Sequence, residues 1–188
     1  MPDRSLDRKV VLNQVAKVLR GHRGVAANIA VELLERVRQL TERINELERE
    51  IRALVTQLAP SLLELDGCAA LGAAKLIGET AGIARFSTPA RFAMHNGTAP
   101  IPVWSGSPQR HRLNRGGNRQ LNAALHRIAV TQMRLGGRGH EYIQHRRAAG
   151  DTKKEAIRAL RRRISDEVFR RMWQDHLAVA KVPANAAA

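Results

Sequence analysis

From Leu33 to Leu58, apolar residues recur in alternating steps of four and three: Leu33, Val37, Leu40, Ile44, Leu47, Ile51, Leu54 and Leu58. Ile29 stands at the edge of this series. A seam of that period, sustained over more than three heptads and flanked by the charges of "ERVRQLTERINELEREIR", marks a long helix that pairs with another helix. The spacing predicts one helix over residues 25 to 59, closed by Pro60, whose ring and missing N–H stop a helix interior. The partner is either a second molecule or an internal helix, and the seam does not choose between them. Aromatic residues make up only 3% of the chain, so the core must be built from Leu, Ile, Val and Ala, which favours helix packing over a sandwich. The expected fold class is all-α: a long coiled-coil helix followed by a compact helical domain.

The segmentation follows from punctuation. Residues 1 to 24 hold a helix over "LDRKVVLNQVAKVLR" that stops at "GHRG"; residues 25 to 60 are the coiled-coil helix. Residues 61 to 150 form the compact domain, 151 to 177 a basic helix, and 178 to 188 a tail expected to be disordered. Inside the compact domain, "SLLELDGCAALGAAKLIGETAG" reads as helix, glycine turn at Gly67, and a small-residue helix from about Ala69 to Glu79. That order resembles a helix-hairpin-helix, in which turn amides and a helix N-terminus can hold a phosphate; an ordinary helical hairpin closed by Gly67 fits equally. Pro89 opens a short helix capped by Ser87 or Thr88, and "HNG" ends it. Thr98 to Pro108 contains three prolines and one glycine and cannot be regular helix; an irregular loop is expected. Asn118 starts the next helix, with Leu121, Leu125, Ile128, Ala129 and Gln132 on one face, and the last helix carries Ile157, Leu160, Ile164, Val168 and Met172.

Charge narrows the function. The formal net charge is +15, and no Asp or Glu occurs between Glu79 and Glu141. Nine arginines and no lysine lie in that interval. Guanidinium forks suit bidentate phosphate contact, so an acid-free arginine interval predicts a surface for nucleic acid. The lone Cys68 excludes an internal disulfide framework and a cysteine-rich zinc site. The two histidines of "HEYIQH" are five apart, which diverges them on a helix, so no metal site is expected in this chain. Neither a signal peptide nor a membrane-spanning run is recognisable, giving a cytoplasmic expectation with no membrane partner.

Within the interval, Ser105 lies between Trp104 and Gly106 and is followed by Arg110, Arg112, Arg115, Gly116, Gly117, Asn118 and Arg119. A serine hydroxyl attacks a phosphodiester only when a base takes its proton and cations stabilise the charge on phosphorus. His111 is the candidate base. Read from chemistry alone, a serine that caps a turn beside passively gripping arginines explains the residues as well. Gly116 and Gly117 would let backbone approach a phosphate at the start of the Asn118 helix.

The run "FSTPARFAMHNGTAPIPVWSGSPQRHRLNRGGNRQLNAALHRIAV", with "LDGCAALGAAKLIGETAGIARF" ahead of it, resembles the C-terminal domain of the IS110/IS116 insertion-sequence transposases, RNA-guided DNA recombinases. The resemblance spans roughly residues 30 to 175 and implies a serine-bearing transposase domain behind a coiled coil. It implies that Ser105 of the Ser-Gly pair is the nucleophile, forming a covalent phosphoserine–DNA intermediate. It also implies DNA contact through Arg112, Arg115, Gly116, Gly117 and Asn118, to which the arginine interval adds Arg110 and Arg119 and the glycine turn adds Gly67, and it implies a structured guide RNA. Magnesium would be bound by an N-terminal RuvC-like DEDD domain, for which this chain has no room, and no cofactor is expected on the chain itself. His95 and Asn96 depart from the family's usual residues before "AP". A partner supplying the metal domain, or a homo-oligomer through the coiled coil, is therefore expected. The alternative from another class is a non-catalytic nucleic-acid-binding or regulatory protein using the same arm and surface.

Overall fold

The computed structural model describes residues 9–103, 110–112, 114 and 116–180, with backbone only at 9, 102–103 and 110–112. The described residues are all-α apart from one short two-stranded ribbon. They divide into two units, residues 1–50 and 51–188.

In the first unit, α1 (Lys9–Arg20) lies along the early part of α2 (Val25–Leu58). Leu12 and Ala16 of α1 bury Leu34, with Val15 beside them, and Arg38 Nη2 donates to Asn13 Oδ1 at 2.8 Å. Leu34 is one residue off the heptad seam. The seam residues themselves, Leu33, Val37, Leu40, Ile44, Leu47, Leu54 and Leu58, are exposed, Leu33 by 62% and Ile44 by 60%. Only Ile51 on the seam packs against the core of the second unit, alongside the fully buried Val55. Helix α1 therefore covers a different stripe of α2, and the seam is left uncovered by the described residues.

In the second unit, a 3-10 turn (Pro60–Glu64) leads to α3 (Ala70–Thr80), and a second 3-10 turn (Ile83–Arg85) leads to α4 (Pro89–His95). Thr88 caps α4, its hydroxyl accepting from Arg91 N–H, with Pro89 at the first position where a missing N–H costs nothing. Strands β1 (Ile101–Val103) and β2 (Arg110–Arg112) pair antiparallel, Ile101 opposite Arg112 and Val103 opposite Arg110. Helices α5 (Arg119–Leu135), α6 (Arg138–Ala148) and α7 (Lys153–Ala180) complete the unit. Leu121, Ala124, Leu125, Ile128 and Ala129 of α5 face Leu160, Ile164, Val168 and Met172 of α7 in one core that also takes Leu76 and Phe92. Phe92 meets Phe86 edge-on at 5.3 Å and Phe169 at 6.0 Å, concentrating three of the few aromatics in one place.

The structure departs from the sequence reading at four points. The ribbon was expected to be irregular throughout, but the residues either side of 104–109 pair as strands. Helix α6 was not expected, because its sequence "RGHEYIQHRRA" has almost no apolar periodicity; only Gly139 and Ile143 are buried, and Tyr142 stacks under Arg163. Helix α7 continues to Ala180, past the expected end at 177. The element before Gly67 is a 3-10 turn rather than the first helix of a hairpin.

Candidate nucleic-acid interface

Ser105 and Arg115 lie outside the described residues, and Arg110, His111 and Arg112 are described as the backbone of β2. The remaining predicted residues can be placed. Gly67, at φ 78°, sits under the middle of α5: a Cβ there would stand 3.1 Å from Ile128 O and from Thr131 Cβ. Gln132 Nε2 donates to Asp66 O at 2.8 Å, pinning the same turn. The turn is thus a packing joint against α5.

The two glycines that precede Asn118 play unequal parts. A Cβ on Gly117 would stand 2.5 Å from Gly97 Cα and 2.9 Å from the Asn96 carbonyl carbon. The backbones of the 96–97 turn and of Gly117 cross in contact, so that crossing by itself requires glycine at 117. A Cβ on Gly116 would meet only Asn114 Oδ1, at 3.5 Å. Asn118 caps α5, its Oδ1 accepting from Gln120 N–H at 2.9 Å and Leu121 N–H at 3.0 Å. Its Nδ2 donates to Glu79 on α3 at 2.9 Å, and its N–H to His95 O at 2.6 Å. Asn118 joins α3, α4 and α5, with its amide engaged inside the fold. Arg119 is exposed, at the first turn of α5.

Around this joint runs a polar network that sequence reasoning missed. Asn96 is completely buried; Nδ2 donates to Ser165 Oγ at 2.7 Å, and Oδ1 accepts from Thr98 N–H and Oγ1. Asn122 Nδ2 donates to Asn96 O at 3.0 Å, while Asn122 Oδ1 accepts from Arg161 Nη1 at 2.8 Å. Arg161 is only 8% exposed and has no carboxylate partner among the described residues. Its Nε is buried with no hydrogen-bond partner among them. The signal was present in the sequence: Ile157, Arg161, Ile164 and Val168 step by four, three and four, so an arginine occupies a core position of α7.

Arg161, Asn122, His126, Arg119, Gly117 and Asn114 line an open cleft of about 500 Å³. Burial, and next the neighbouring Arg158 charge, lower the Arg161 pKa from its ordinary value. Burial, and next the Arg161 charge, lower the His126 pKa from its ordinary value, favouring the neutral imidazole. His95, beside Arg85 Nη2 at 3.0 Å, is lowered by burial and then by that charge. Among the described residues no three His, Cys, Asp or Glu side chains converge to hold a metal ion. The donor set here is cationic and amidic, so no step is routed through a metal on these residues. No helix among the described residues is long and apolar enough to cross a membrane.

Comparison with known proteins gives one consistent answer. Residues 59–144 match the Transposase IS116/IS110/IS902 family. The chain is 30% identical over 146 residues to the insertion element IS110 uncharacterized 43.6 kDa protein of Streptomyces coelicolor, covering 76% of this chain and 36% of that protein. It is 26% identical over 167 residues to the insertion element IS116 uncharacterized 44.8 kDa protein of Streptomyces clavuligerus, covering 87% of this chain and 42% of that protein. The chain spans well under half the length of these curated relatives. The matched segment contains α3, α4, the ribbon and α5, with the joint at Asn118 and most of the cleft, so the site lies in the part of the chain that resembles the Transposase IS116/IS110/IS902 family.

Proposed function

We propose that this chain is the serine-bearing portion of an insertion-sequence transposase, a DNA recombinase whose Ser105 attacks a DNA phosphodiester. The observation that carries the reading is the family match over residues 59–144, a segment that includes Ser105-Gly106 and the arginines after it. In the attack, the Ser105 Oγ–P bond forms as one ester P–O bond to deoxyribose breaks. The hydroxyl proton passes to a base, for which His111 is the candidate, and the leaving alkoxide takes up a proton. Arg110, Arg112, Arg115 and Arg119 stabilise the negative charge gathered on the non-bridging oxygens. The carboxylates that would hold magnesium belong to a separate RuvC-like domain, because this chain's acid-free interval offers none. A structured guide RNA directs the complex to DNA, and the exposed seam of α2 joins a second copy or a full-length partner.

The test incubates the chain with DNA carrying the element's ends, guide RNA and a full-length partner. A protein–DNA adduct that survives denaturation and is absent in Ser105→Ala is expected. Equal, salt-sensitive DNA binding by both proteins with no adduct under any condition would leave a non-catalytic DNA-binding protein instead.

A further inference from the structure

A buried guanidinium without a counter-charge is an expensive feature of a fold, because its desolvation is not offset by an ion pair. The described residues leave two buried side-chain polar atoms unpartnered, Thr80 Oγ1 and Arg161 Nε, and of those two residues only Arg161 lines the cleft. The position of Arg161 is nevertheless held with care. Asn122 accepts from its Nη1, Asn122 is tied to Asn96, and Asn96 is tied to Ser165 one turn further along α7. Every member of that chain is neutral, so the network fixes the guanidinium without cancelling its charge. Arg119 at the rim and the imidazole of His126 add donors to the same cleft, which lies beside the first turn of α5, where backbone N–H groups carry partial positive charge.

We propose that the cleft framed by Arg161, Asn122, His126 and Arg119 is a seat for one backbone phosphate of bound DNA. The inference rests on the DNA-binding reading above and adds residues of α5 and α7 outside the Ser105–Arg119 run. A tetrahedral, singly charged oxyanion supplies what Arg161 lacks among the described residues, a charged acceptor for the guanidinium protons that reach the cleft. The volume admits a phosphodiester with its flanking sugar atoms while the cleft stays open for the strand to leave on either side. Because the contact is to backbone, it positions the strand and reads no base.

Fluorescence anisotropy with a labelled random-sequence duplex, titrated across salt, compares the full chain with Arg161→Gln, Arg161→Lys and Arg119→Gln. In Arg161→Gln the slope of log affinity against log salt is expected to shrink by about 0.9, the value for one lost phosphate contact. Affinity at low salt should fall roughly tenfold, as for loss of a charged hydrogen-bond pair. Arg161→Lys should recover the slope but only part of the affinity, since a point charge replaces a fork. Arg119→Gln is the positive control, since Arg119 is already assigned to DNA by the proposed function; should Arg161→Gln fail to fold, Arg161→Met, which keeps the buried volume, gives the same slope test. Inorganic phosphate should raise the Tm of the parent and not that of Arg161→Gln. An unchanged slope in Arg161→Gln, or in Arg161→Met in its place, with a DNA-binding parent would overturn the seat and leave the DNA-binding reading standing. A parent that binds no duplex at any salt would overturn both. Losses seen with an RNA duplex and not with DNA would overturn the assignment to DNA.

Discussion

The two ends of α7 each carry an arginine-centred cluster, and they are built on opposite plans. At the far end, the half-buried Arg171 is ion-paired: Nε pairs with Glu167 at 2.8 Å, and Nη1 donates to Ser61 O at 2.6 Å and reaches Glu64 at 3.5 Å. Asp175, 8% exposed, accepts from Ser61 Oγ at 2.6 Å and from Ser61 N–H at 3.3 Å, locking α7 to the Pro60–Glu64 turn. At the near end, Arg161 has, among the described residues, one neutral acceptor and an unpartnered Nε. The same residue type, on the same helix, closes an internal lock in one place and faces an open cleft in the other. Arginine count alone carries no functional information here; the presence or absence of a counter-charge does.

The contrast can be broken most severely at the near end. Gly117→Ala forces a methyl into the 96–97 backbone and is expected to cost about 3 kcal/mol or more in denaturant unfolding, at the top of the range for overpacking. Gly116→Ala, with open space beside it, should stay within about 1 kcal/mol of the parent. Equal costs would remove the backbone crossing as the reason for the second glycine.

At the far end, the contrast can be sharpened by pH. Burial raises the Cys68 thiol to about 11 from 9.0, with the Arg171 charge opposing the rise. The folded thiol stays protonated where the unfolded one ionises, so the unfolded state binds fewer protons above pH 9 and stability falls from there up to about pH 11. For a two-unit difference the loss is about 3 kcal/mol, seen as the difference between parent and Cys68→Ala in alkaline denaturation. Parallel curves for the two proteins would contradict a buried, protonated thiol.

The smallest effects come from the arginine clusters themselves, and there the sign is the test. Asp175→Ala strands the Ser61 N–H and hydroxyl and should destabilise by about 1–3 kcal/mol without altering the salt slope of DNA binding. Arg161→Met removes an uncompensated buried charge and should leave stability within about 1 kcal/mol of the parent or raise it, measured without nucleic acid. A loss at Arg161→Met as large as that at Asp175→Ala would show that both ends are structural locks.

The helical elements with strong periodicity were legible. The α2 seam, the buried face of α5 from Leu121 to Gln132 and the apolar stripe of α7 could be read because each repeats at the helical period. Thr88-Pro89 and Asn118 announced helix starts by their capping chemistry. Helix α6 was illegible because its burial depends on two neighbouring helices rather than on a stripe of its own. Among the candidate site residues, the arginine interval and the Ser105-Gly106 pair were visible as composition and motif. The assignments of Gly117 and Asn118 to phosphate contact were natural from spacing, yet the fold gives both a part in joining α3, α4 and α5.

By itself the sequence determined that the strongly periodic stretches are helical, that the core is largely aliphatic, and that a carboxylate-free segment follows Glu79. Those properties depend on neighbours within a few turns of the chain. Only the tertiary structure decided that Arg161 has no counter-charge among the described residues, that Asn96 and Asn122 hold it in place, and that Gly117 is pressed against Gly97. Each of these depends on backbones and side chains that lie 20 to 69 positions apart in sequence, where no local period records who meets whom.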